Sequence, residues 1–314
     1  GENEMIHKLS ALLIFGTSSI VFAGGNVNQT QDNTNSYING SFKTSYGSID
    51  FSRSDNDSIT TSESADYLPF EFEAWTTSHL SNNKEAMFRI KYSKYNPLRY
   101  HSSGSANPDD TPNLSFSAEA LLLKDYGKST SFTGLNYIRN RLYGKTQEGP
   151  SNDGYHTTFH GSLGGVYSIN NSNHSLLSIG IASNSSNNNM MHSDEIIYLH
   201  LSHHMVFNDK FSANISHTDY QFESKDAGSI DEDNKDYQHT EIGFNYMLNK
   251  NVLSLEFGRI DVTDGNDSEV DKADTYMLSY SIPFGQKVSK RTKVIANSRP
   301  DIEFMIGFTS GPME

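Results

Sequence analysis

Residues 195 to 220, EIIYLHLSHHMVFNDKFSANISHTDY, hold four histidines: His200, His203, His204 and His217. Imidazoles at this density point to three chemistries: metal ligation, acid–base catalysis beside a serine, or hydrogen bonding on a polar wall. Spacing decides among them only once the backbone is known. On a helix, His200 and His204 would share a face, a suggestive spacing for a metal. On a strand they stand about 13 Å apart at ~3.3 Å per residue, too far to share a zinc ion with Zn–N bonds of about 2 Å. His156 and His160 repeat the separation on another segment. A cross-strand metal site joining His200 to His160 or His239 stays geometrically open. So does a hydrolase using His200 and Ser202, which share a face on a strand.

The segments that carry these residues alternate with period 2. Leu68, Phe70, Phe72 and Ala74 oppose Glu71, Glu73 and Trp75; Ala86, Phe88, Ile90 and Tyr92 oppose Met87, Arg89, Lys91 and Ser93. Similar segments run at about 36–51, 114–124, 131–142, 155–169, 175–183, 196–207, 211–222, 238–248, 252–262 and 275–284. Each is near the ~9–11 residues that a tilted strand needs to cross a membrane, and none shows a helical period. The connections alternate as well. Short polar turns (81–84, 126–128, 170–173, 208–210, 249–251) are separated by longer loops at about 53–66, 95–112, 143–154, 184–194, 223–236 and 263–274. A closed meander with short periplasmic turns and long external loops reads this way. A soluble sandwich of this length would split into two domains, and a β-helix would show a fixed short repeat.

The final strand, with Tyr276, Leu278, Tyr280, Ile282 and Phe284 in alternation, resembles the C-terminal strand of Gram-negative outer-membrane β-barrel proteins of the porin-like class. The resemblance implies an all-β fold: a closed antiparallel up-and-down transmembrane barrel, here of twelve strands over residues 36–284. Ile302, Phe304, Ile306 and Phe308 repeat the signature, so a fourteen-stranded barrel using 286–309 is the alternative to a C-terminal extension over 285–314. A mean hydropathy of −0.60 does not oppose a barrel, since only every second residue faces lipid.

Gly1 to Glu4 precede a start at Met5-Ile6-His7-Lys8. The apolar run Leu9–Ile20 and Val21-Phe22-Ala23 then read as a secretory signal peptide cleaved after Ala23. Residues 24–35 are expected as a disordered periplasmic lead. The chain has no cysteine, so no disulfide braces it. Outer-membrane lipid, lipopolysaccharide and the barrel-assembly machinery are the expected partners. No nucleic acid is expected.

The net charge of −14 concentrates in the loops, at Asp231, Glu232, Asp233, Asp267, Glu269 and Asp271 among others. That rim reads as a solvated surface or as a field that gathers cations. None of the loops has EF-hand spacing, so no cofactor is expected beyond loosely bound divalent cations there. The inward set expected to line a lumen is Glu71, Glu73, Arg89, Lys91, Glu119, Arg139, Arg141, His156, His160, His200, His204, His239 and Glu241. Glu71 and Glu73 should pair with Arg89 and Lys91, and Glu119 with Arg139 and Arg141. The tyrosines and phenylalanines near strand ends, among them Tyr67, Tyr92, Tyr155, Phe207, Phe211, Tyr237 and Tyr246, read as an aromatic girdle. The leading function is a channel for small polar solutes. A non-conducting receptor, adhesin or structural barrel and the lumen enzyme are the alternatives.

Overall fold

The computed structural model describes residues 37–54, 60–81, 83–101, 113–144, 152–186, 194–224, 235–264, 270–285, 290–300 and 302. Twelve strands form: β1 Tyr37–Ser54, β2 Thr60–Ser81, β3 Lys84–His101, β4 Asn113–Asp125, β5 Ser129–Gly144, β6 Asn152–Ser168, β7 Asn173–Ser186, β8 Asp194–Val206, β9 Phe211–Ser224, β10 Lys235–Leu248, β11 Asn251–Asp264 and β12 Val270–Phe284. Each pairs antiparallel with its neighbour in sequence, and β12 returns to β1 to close the barrel. Closure leaves no unpaired edge, which is what backbone amides require in hydrocarbon. The fourteen-strand alternative fails here. β1 already pairs with β12, and an α-helix, α1 (Lys290–Asn297), stands where a further strand was expected.

One face of the wall is apolar all round. Leu135 is 73% exposed and Phe159 64%, and Phe88, Leu122, Ile181, Leu199, Leu255 and Leu278 share the outward face. An apolar belt of that extent has no stable place in water and suits a lipid surround. At the seam, the terminal aromatic of β12 is held in a ring cluster. Phe284 stacks with Phe72 (6.3 Å) and lies 5.7 Å from Phe42. Gly40 makes room for it, since a Cβ there would come within 2.5 Å of the Phe284 ring.

The short turns close as the sequence predicts, by side chains that mimic a turn of backbone. Asn170 Oδ1 accepts from the amides of Ser172 and Asn173, and Asn208 Oδ1 from those of Lys210 and Phe211. The opposite ends differ from expectation. Strands run to 22 residues in β2, longer than a bilayer crossing needs, and the excess lies towards the long loops. Asp271 accordingly sits in β12 opposite Val262, not in a loop. Asp231, Glu232, Asp233, Asp267 and Glu269 fall outside the described residues.

The interior is filled in two layers. Near the short turns, Trp75, Met87, Leu121, Leu123, Phe132, Val166 and Leu176 pack round Val294, Ile295 and Ala296 of α1. Nearer the loops, Ile138, Ile196, Tyr198, Tyr220, Phe222, Tyr237, Ile260 and Val262 form a second cluster, which takes in Ile302. Tyr237, expected in an aromatic girdle, is thus an interior residue, 5% exposed.

Candidate functional site

The site is built from inward positions of β2 to β8 and from the chain that follows β12. At Gly285 the backbone takes φ +107, a value that L side chains rarely adopt. A Cβ there would lie 2.4 Å from Ile38 O and Asn39 Oδ1, so only glycine fits this corner over the start of β1. Beyond it, Arg291 reaches the short turn between β4 and β5, bonding Asp125 Oδ2 at 2.7 Å and the Gly127 carbonyl. Val294, Ile295 and Ala296 of α1 are at most 6% exposed among the apolar side chains of the wall. The segment then ascends through Ser298 and Arg299 to Ile302, within the loop-side cluster.

Charge meets the segment midway. Arg89 donates to Glu73 Oε2 at 2.5 Å and stands 3.8 Å from Glu119 Oε2. Glu119 also receives both terminal nitrogens of Arg299, one on each carboxylate oxygen. This fork-to-fork pairing is the strongest geometry open to a guanidinium. Arg299 Nε donates to Ile295 O at 2.8 Å, and the guanidinium carbon lies 5.8 Å from the centre of the Phe132 ring. The Glu119 and Arg299 side chains are only 5% and 7% exposed, so the pair is taken out of water as a unit.

The histidines divide by face. His200 points inward: its Nε2 donates to Ser298 O at 2.7 Å, while Nδ1 is 2.7 Å from Thr218 Oγ1. Ser202 donates to the same carbonyl at 3.2 Å. Both members of the His200–Ser202 pair thus bond the C-terminal segment. His160 Nε2 bonds the Tyr198 hydroxyl at 3.0 Å, and His204 faces His174 across β8 and β7. Tyr198 has room to lie across the wall because its cross-strand neighbour is Gly180, where a Cβ would fall 2.4 Å from the ring. His203 and His217 face outward, His203 bonding Ser175 and His217 bonding Thr240 with Asp219 at 3.3 Å. Among the described residues no three His, Asp or Glu side chains converge as a metal site would need.

Of the remaining expected lining residues, Glu71 is opposite Lys43, and Glu73 is opposite Lys91. Lys43 Nζ lies 3.8 Å from Glu256, with Glu71 and Glu241 also within its electrostatic reach. His239 stands opposite Thr218 and Ile260, and Glu241 opposite Ser216 and Gly258. His156 pairs with Asn140, and its side chain lies outside the described residues. Arg139 does not line the lumen, and the Arg141 side chain lies outside the described residues. Glu119 faces Asn136, so Ile138 and Asn140 turn inward and Arg139 turns out beside Phe116. A shift of one residue flips a whole strand, and inward Phe132 and Ile138 disguise the phase of β5. Arg299 and Ser298 escaped sequence reasoning altogether. The only signal was the apolar triplet Val294-Ile295-Ala296 amid basic residues, which fits no lipid-facing strand.

No protein-family model matches the chain, and no curated protein does. Among solved structures, an outer-membrane channel from Pseudomonas putida F1 superposes with a TM-score of 0.56 at 12% identity, over 82% of this chain and 100% of that one. The monoaromatic hydrocarbon channel TodX, as its deltaS2 mutant, is more distant (TM-score 0.47, 9% identity, 79% of this chain and 90% of that one). A FadL homologue from Pseudomonas aeruginosa is at a similar remove (0.46, 9%, 79% and 90%). At 12% identity the first superposition shows a shared architecture. The chain is a closed twelve-stranded up-and-down barrel with the fold of an outer-membrane channel.

Proposed function

We propose that the protein is an outer-membrane channel for small polar solutes, held shut by its own C-terminal segment. The observation that carries this reading is the Glu73–Arg89–Glu119 ladder, which ends on Arg299, a residue outside the wall. A barrel that needed only a stable core would fill that level with apolar side chains, because buried ion pairs add little net stability. A wall that is charged and dressed with Ser93, Ser115, Ser117, Thr158 and Ser162 instead suits a path that water enters once the occupant moves. The fold shared with the Pseudomonas putida channel supports the same reading.

Charge sets the expected selectivity. The described inward wall carries Glu71, Glu73, Glu119, Glu241 and Glu256 against Lys43, Arg89 and Lys91, so it is net acidic. The acidic residues of the long connections, outside the described residues, add to this charge and can hold divalent cations against lipopolysaccharide. Their influence is screened over about 8–10 Å at physiological salt. In planar bilayers the protein should pass small, cation-preferring currents whose preference fades as KCl rises. A clear chloride preference in asymmetric KCl at low salt would refute the acidic-path argument.

The second reading is a non-conducting surface barrel. The apolar loop-side cluster round Tyr220 and Phe222 favours it, because such packing seals as well as α1 does. Absence of current from both the intact protein and a variant lacking residues 290–314 would select it. Placement in the outer membrane is tested separately, by single cysteines at Asn249 in a short turn and at Ser229, outside the described residues. A membrane-impermeant maleimide on intact cells should label the second only.

A further inference from the structure

We infer that the lumen contains a binding site for a guanidinium-bearing cation, and that Arg299 occupies that site as a stand-in from the chain itself. The inference rests on the channel reading for its purpose, though its geometry is independent of ion flow. Most of the cradle belongs to the wall. Glu119 supplies both acceptors of the fork, and Phe132 presents its ring 5.8 Å from the guanidinium carbon. The segment adds only the Ile295 carbonyl. Arg89, the wall's nearest cation, stands at 3.8 Å from Glu119 while bonding Glu73 at 2.5 Å. Without Arg299, Glu119 loses both bonds of the fork and keeps Arg89 at 3.8 Å.

The neighbouring positions extend the site beyond what Arg299 uses. Asn136 is the direct cross-strand neighbour of Glu119, and His160 that of Asn136. Asn136 Oδ1 and His160 Nδ1 are buried and have no hydrogen-bond partner among the described residues, although His160 is only 6% exposed. Unpartnered buried polar atoms are destabilising, and two of them in one row beside a carboxylate mark the place of a ligand with further donors. A guanidinium that carries an additional amino group or hydroxyl fits this arrangement better than the tip of Arg299.

The test uses the full-length protein in detergent and methylguanidinium as probe, with N-methylurea as its neutral isostere. Arg299→Ala should bind methylguanidinium at least about tenfold more tightly than the wild type, the factor expected for freeing one charge-assisted bond. Arg299→Ala combined with Glu119→Gln should lose that binding, and N-methylurea should bind neither. Equal binding by wild type and Arg299→Ala would overturn the site, as would binding that survives Glu119→Gln or extends to N-methylurea. Folding is checked by the heat-modified mobility of the closed barrel. If Arg299→Ala does not fold, the wild type carries the test. Methylguanidinium, and not N-methylurea, should then speed tryptic cutting at Lys293, which Val294 follows; no acceleration overturns the site. Binding without current in any variant would keep the site and sink the channel reading, whereas current without binding would do the reverse.

Discussion

The half of the lumen near the short turns and the half near the long loops are both filled, but by different kinds of material. Near the loops the filling is wall on wall apart from Ile302. Tyr198 and Tyr220 lie 6.1 Å apart, and Phe222 meets Tyr237 edge-on at 4.8 Å, each ring anchored on its own strand. Near the turns the filling is a separate piece of chain, attached to β12 through Gly285 and otherwise held by α1 packing and a few polar bonds. The first kind can open only if the wall deforms. The second can leave with the barrel intact. A closure meant to be reversible belongs in the second half, and that is where the charged contacts gather.

Removing residues 290–314 puts the largest strain on this contrast. The barrel should still form and keep its heat-modified mobility, since every strand and turn remains. Bilayer currents should rise several-fold yet stop short of an open pore, because the loop-side rings persist. A smaller change to the same half is Ile295→Asp, which places a carboxylate among Trp75, Met87 and Leu121, where Ile295 is fully buried. That costs several kcal/mol if the segment stays. Trypsin should therefore cut at Lys293 much faster than in the wild type, with the thermal midpoint of the barrel little moved.

Tyr220→Ala should give the opposite pattern. Its side chain is 1% exposed, and truncating an aromatic of that burial costs about 3–5 kcal/mol. The thermal midpoint should fall while tryptic release of the segment stays slow; fast release would show that the two halves are one cooperative unit. Smallest is His200→Ala, which removes one bond to Ser298 O, worth about 1 kcal/mol. A modest gain in open time, at most about fivefold, is expected in single-channel records.

Much of the barrel was legible because lipid imposes a simple rule on one face. Leu177, Ile179 and Ile181 of β7 or Leu253, Leu255 and Phe257 of β11 alternate without error, and the polar turns between strands fell where their Asn and Asp residues predicted. The loop-side ends were not legible. Beyond the hydrocarbon both faces meet water, the alternation lapses, and β12 begins at Val270 where 275 was expected. The site was half visible. Glu73, Arg89 and Glu119 announced themselves as charges on an inward register, but β5 was read in the wrong phase because Phe132 and Ile138 face a packed interior. The partner of Glu119 was therefore sought at Arg139 and Arg141. It lay at Arg299, 180 residues away, in a stretch too short and too mixed to show any period.

The C-terminal segment is also a chord. It is fastened to β4 through Asp125 and Glu119 and to β8 through His200 and Ser202, so it ties together parts of the wall that are not hydrogen-bonded neighbours. A cylinder of strands resists stretching along its ladders but flattens easily, and an internal brace stiffens it against that mode. Its departure would do more than clear a path: it would leave a rounder or flatter wall free to breathe, with Tyr198 and Tyr220 riding on the strands that move. One displaced arginine would thereby reach the loop-side rings through the shape of the barrel itself.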